Sequence, residues 1–94
     1  MTDETLLVML KFNLEIIPEN TAFDDYLTML ITSAKQMITR EGITLADTVE
    51  DGNLVVMYAA YLYRKRAEDN PVMPRMLRWA LNNRLFSAKV SGDV

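Results

Sequence analysis

An all-α fold, a small bundle of about four helices with one short and three longer, is what this sequence predicts on three observations. Three glycines and three prolines are all that interrupt 94 residues, so the elements are few and long. The helix formers Ala, Leu, Met, Glu, Lys and Arg outnumber the β-branched residues, which favours helices over strands. Apolar residues then recur at three- and four-residue spacing along most of the chain. At 50% apolar and 24% charged, the composition is that of a globular chain. A chain of this length buries roughly 65% of its unfolded surface, enough for a single helical domain over residues 1–94.

Thr2, Asp3 and Glu4 read as the cap and first turn of the short helix, whose Leu6, Leu7, Met9 and Leu10 keep helical spacing until Asn13 and Pro18 break it. Thr21 and Asp24 resemble a capping box for the second helix, which gathers Phe23, Tyr26, Leu27, Leu30, Ile31, Ala34, Met37 and Ile38 on one arc. Met29 falls on its polar face, and Gly42 stands where a left-handed cap residue belongs. Thr48 and Asp51 repeat the capping pattern and open the third helix. Its stretch 54–63 is apolar all round, more than a chain of 94 residues can readily enclose, so neighbouring helices or another subunit must cover it. The last helix is predicted from Pro74 to about residue 89, with a flexible tail beyond. Its core stripe is Met73, Met76, Leu77, Ala80, Leu81, Leu85 and Ala88.

Composition narrows the chemistry. With no Cys and no His, thiolate nucleophiles, Cys/His zinc sites, imidazole catalysis and disulfides are excluded. The adjacent acids Asp24–Asp25 and Glu50–Asp51 point about 100° apart on a helix, so neither pair forms a catalytic dyad. A calcium loop starting at Asp47 fails because Val49 and Tyr58 occupy ligand positions. No Gly-rich phosphate loop or nucleophile elbow is present, so no enzyme, cofactor or metal is expected. The polar start Met1-Thr2-Asp3-Glu4 lacks the features of a signal peptide, and the longest apolar run is about half a membrane span, so a cytosolic origin without membrane contact is expected.

What remains is association. Residues 1–53 carry ten acids and three bases, a balance of −7, whereas residues 54–94 carry seven bases and three acids, a balance of +4. Trp79, Phe86 and Val90 fall outside the core stripe of the last helix, with Asn83 between the two apolar zones. That patch wants either a partner subunit, with Trp79 as its anchor, or the first helix of the same chain. Tyr63, with Tyr58 and Tyr61, suits an interface or the edge of the core. Arg84 lies inside the core stripe and needs a carboxylate, from the N-terminal half or from a neighbouring copy. Arg64, Lys65, Arg66, Arg75, Arg78 and Lys89 form a basic set that can face nucleic acid, although the chain is acidic overall at −3.

The strings Met57-Tyr58-Ala59-Ala60-Tyr61-Leu62-Tyr63 and Met73-Pro74-Arg75-Met76-Leu77-Arg78-Trp79-Ala80-Leu81-Asn82-Asn83-Arg84-Leu85-Phe86, most specifically its part from Leu77 on, resemble the small head-to-tail connector proteins of tailed phages and prophages, also labelled putative DNA packaging proteins. The likeness extends in outline to Asp24-Asp25-Tyr26-Leu27 and the Gly42-Ile43 turn. It implies an all-α subunit of a homo-oligomeric ring below the portal, surrounding the DNA channel at the head–tail junction of the virion. Implied partners are further copies, the portal and tail-completion proteins, with non-specific contact to genomic DNA. In that setting Trp79, Phe86, Tyr63 and Arg84 serve the subunit interface, and Arg64, Lys65, Arg66, Arg75 and Arg78 face channel, portal or DNA. The other reading is a small helical DNA-binding or packaging accessory.

Overall fold

The computed structural model describes residues 2–66 and 72–91, the last four as backbone only, so the predicted tail beyond residue 91 lies outside the described residues. Four helices make up the fold: α1 (Asp3–Asn13), α2 (Asp24–Arg40), α3 (Val49–Lys65) and α4 (Arg75–Ser91). No strand occurs among the described residues. The last helix thus runs two residues past its predicted end, and it starts just after Pro74, whose carbonyl accepts from the Arg78 N–H at 3.1 Å.

Thr2 caps α1 by accepting from the Thr5 N–H at 3.2 Å, and Thr48 caps α3 by accepting from the Asp51 N–H at 3.1 Å, both as the sequence predicts. The predicted cap of α2 does not form. Phe23 occupies the cap position without a side-chain bond, and Asp24 instead reaches Lys11 of α1 at 2.8 Å. Lys11 is buried and also donates to the Pro18 carbonyl at 3.0 Å, so its ammonium is held on two sides. Lys35 meets Asp3 at 2.6 Å at the other end of the same helix pair, which sets α2 antiparallel to α1. Arg64 bonds Asn13 at 3.3 Å, bringing the C-terminal ends of α1 and α3 together and making those two helices parallel.

One apolar core runs through all four helices. Leu6 and Leu10 of α1 meet Leu27, Ile31 and Ile38 of α2, and α3 adds Leu54, Val55, Val56, Tyr58, Ala59 and Ala60. Each fully buried Leu or Ile stabilises the fold by about 1.5–3 kcal/mol. The all-apolar stretch of α3 does not need a second subunit: most of it is buried within this chain, with Met57, Tyr61, Leu62 and Tyr63 partly so. Its small residues Ala59 and Ala60 are fully buried, which leaves room for neighbouring helices to pack close to α3. Phe23, predicted on the core arc of α2, is 44% exposed because it precedes the helix rather than belonging to it.

Two helix ends use the left-handed conformation. Gly42 follows α2 at φ +96°, as predicted, and its N–H bonds the Thr39 carbonyl at 3.0 Å. After α1 the same role falls to Glu15 at φ +61°: its N–H bonds the Phe12 carbonyl and the Ile16 N–H bonds the Lys11 carbonyl at 2.8 Å. These are the paired bonds of a Schellman motif, with glutamate where glycine is usual. A Cβ on Gly42 would lie 3.5 Å from the Leu85 side chain, an ordinary contact, so alanine there meets backbone strain and no clash. Gly42→Ala should therefore cost about 1–2 kcal/mol, while Glu15→Gly should stabilise by up to about 1 kcal/mol by releasing the same strain. Thermal unfolding of the two variants measures both signs.

Candidate functional site

α4 presents two apolar faces. Leu77 and Leu81 are buried against the rest of the chain, with Met73, Ala80 and Leu85 half-buried beside them. Trp79 and Phe86 point the other way and are each 68% exposed. Met76, predicted in the core stripe, belongs to the outer face at 74% exposure. On a helical wheel it stands about 60° from Trp79 and about 100° from Leu77, so the outer patch claims it once Leu77 and Leu81 set the inward direction. Ala88, Lys89 and Val90 lie in the backbone of α4 with their side chains outside the described residues. The first helix does not cover Trp79.

Arg84 fixes this orientation. Its Nε donates to Asp51 Oδ1 at 2.8 Å, and its Nη2 donates to Asp51 Oδ2 at 3.2 Å and to the Thr44 carbonyl at 2.8 Å. Asp51 Oδ2 also accepts from the Ala46 N–H at 2.7 Å. One buried carboxylate therefore joins the first turn of α3, the connector before it and the middle of α4. The mate that Arg84 requires comes from the N-terminal half of the same chain, so its guanidinium is committed to the fold beneath the exposed patch.

Tyr63 is placed apart from these residues. It sits half-buried at the α2–α3 seam, its ring centroid 6.4 Å from that of Tyr26, with the Arg66 guanidinium 4.3 Å from its ring centre. The remaining basic residues are mostly engaged within the chain. Lys65 lies over the Tyr61 ring at 5.8 Å, Arg64 bonds Asn13, and Arg78 pairs with Glu41 at 2.8 Å. Arg75 is exposed and has no ion-pair partner among the described residues. The basic set is thus a series of separate attachments more than one continuous phosphate-binding surface.

A cleft of about 440 Å³ opens beside Thr2, Lys35, Ala46 and Asp51. Lys35 is tied to Asp3 and Asp51 to Arg84, so neither stands ready as an acid or base. Burial pushes the Tyr58 phenol up, reinforced by Glu41 and Tyr61 against an opposing effect of Arg78, which keeps it neutral. Among the described residues, no group of three or more Asp, Glu, His or Cys side chains is placed to hold a metal ion. No helix of the described residues is long and apolar enough to cross a membrane. Compared with protein-family models, with curated proteins and with solved structures, the chain finds no significant match.

The carboxyl of Asp51 feels opposing influences: burial raises it, but hydrogen bonds from Arg84 and Ala46 and the charge of Arg84 outweigh that and hold it below its ordinary value. A carboxyl depressed in the folded state gives full stability above its unfolded pKa of about 3.9 and loses it as pH falls through the lower folded value. Stability should therefore drop more steeply below about pH 4 than in Asp51→Asn. That variant leaves Arg84 uncompensated and should cost about 3 kcal/mol near neutral pH. Denaturant unfolding of both proteins across acidic and neutral pH checks the two effects together.

Proposed function

We propose that this chain is the repeating subunit of a head–tail connector ring in a tailed phage or prophage, assembled below the portal around the channel through which DNA passes. The observation that carries this reading is the outward line of Met76, Trp79 and Phe86 on a helix whose other face packs on the core. Three large apolar side chains aligned in solvent form the kind of patch that marks a protein contact, and tryptophan is the residue most enriched among contact anchors. The segment 77–86, which resembles the connector proteins, contributes Trp79 and Phe86 to this face. A structural, non-enzymatic role agrees with a cleft whose charged groups are already paired.

The opposite charge of the two halves, −7 and +4, suits a head-to-tail contact between copies, which closes into a ring when the rotation between subunits allows it. Arg75, exposed at the start of α4 and without an ion-pair partner among the described residues, is then available for the portal, a tail-completion protein or the channel. The DNA-binding alternative would draw on the wider basic set, of which Arg66, Lys65, Arg64 and Arg78 each have a partner within the chain.

Native mass spectrometry across concentration and salt, with electron microscopy of any large species, tests the reading. A closed oligomer that persists from about 50 to 200 mM salt is the expected result, and Trp79→Ala should weaken it by about 2 kcal/mol or more per contact while leaving the helical content of the monomer intact. A monomer that binds DNA with affinity falling steeply over that salt range would favour the accessory reading instead.

A further inference from the structure

We infer that the groove between α1 and α3 is the seat for the outer face of α4 from a second copy of this chain, so that every subunit carries both halves of one repeating contact. The inference rests on the ring reading and adds to it the receiving surface. α1 and α3 run parallel and leave a groove of about 350 Å³ lined by Val8, Met9, Phe12, Asn13, Asn53 and Val56. Phe12 is 87% exposed and Val8 61%, one turn apart on the rim. Val49 continues the exposed apolar surface at the start of α3. A groove between two helices fits a third helix, and the donor has the matching form. Met76, Trp79, Asn83 and Phe86 alternate by three and four residues, the spacing by which a helix sets knobs into the holes of its neighbours.

Charge identifies the occupant as another copy in a head-to-tail arrangement. Arg78 and Arg84 are matched by Glu41 and Asp51 of their own chain, whereas Arg75 is exposed and α4 carries no acid that could meet it in a pairing of two α4 helices. Glu4 and Glu50 stand in the first turns of the two parallel helices that form the groove, both exposed and without an ion-pair partner among the described residues. Arg75 at the start of α4 is equally exposed and unpaired within the described chain. Matching these charges lays α4 parallel to α1 and α3, with Trp79 and then Phe86 following the groove toward Phe12. Polar groups agree with this register. Asn83 stands between Trp79 and Phe86 on the ridge, and Asn53 stands between Val49 and Val56 on the wall of the groove. An amide within an apolar seam costs stability and selects one alignment, which a ring of identical subunits needs at every joint.

The absence of cysteine makes the test direct. Asn53→Cys and Asn83→Cys are made singly and together; both sites are exposed, so circular dichroism should show the wild-type helical content. A short bis-maleimide added to an equal mixture of the single variants should link Asn53→Cys to Asn83→Cys, and the double variant should give a ladder of linked multimers. Each single variant alone should stay unlinked. A closed oligomer in native mass spectrometry with no 53–83 link, or with Asn83→Cys linking to itself, overturns the assignment and leaves the ring reading standing. A monomer at every concentration overturns both.

Discussion

The attachment of α4 by one side only is the constraint from which the rest of the molecule's behaviour follows. α1, α2 and α3 make a three-helix core, and α4 joins it through Leu77, Leu81 and the Arg84–Asp51 pair. Apolar contacts alone, those of the half-buried Met73, Ala80 and Leu85 included, would leave a helix some freedom to roll. The fork of Arg84 removes it, because both guanidinium bonds to one carboxylate and a third to the Thr44 carbonyl allow a single azimuth. Trp79 and Phe86 stand about 140° and 160° around the helix from Arg84, so seating the arginine inward turns both aromatics outward.

Asp51 shows how few polar groups are needed for this. It lies in the first turn of α3, where a carboxylate is favoured by the helix dipole, and it satisfies a connector N–H as well as Arg84. A buried pair of this kind adds little net stability over a well-packed apolar one, but losing one member leaves the other charge stranded. Its contribution is therefore best understood as orientation. Lys11 and Asp24 do for the α1–α2 end of the core what Asp51 and Arg84 do for α4. Both pairs join elements distant in sequence, and both leave the outer faces of α1 and α4 unconstrained by the core.

Much of this was legible in the residues. The apolar arc of α2, the threonine caps at Thr2 and Thr48, the left-handed Gly42 and the outward Trp79 and Phe86 follow from local spacing, which sequence carries directly. The need of Arg84 for an acid was legible as a requirement, while its identity depended on how the connector folds back. The cap expected at Asp24 does not form because a local cap competes with a distant lysine, and the buried Lys11 offers the stronger, charge-assisted bond. Glu15 gave no signal, since the residue in the left-handed position is not glycine. α3 is enclosed further than composition suggests, because a count of apolar residues does not register how small residues such as Ala59 and Ala60 let neighbours pack close. The groove between α1 and α3 was invisible for a related reason: it exists only once two helices distant in sequence lie side by side.

Trp79 is the one tryptophan of the chain, so its own fluorescence reports on the face that the structure turns outward. The most direct measurement is its emission maximum and its quenching by acrylamide along a dilution series. The account predicts a solvent-like emission, fully quenched, in the dilute monomer, and a blue shift with protection from quenching as concentration drives self-association. Emission already blue-shifted and protected in the monomer, or solvent-like and fully quenched at concentrations where a large oligomer is present, would contradict it.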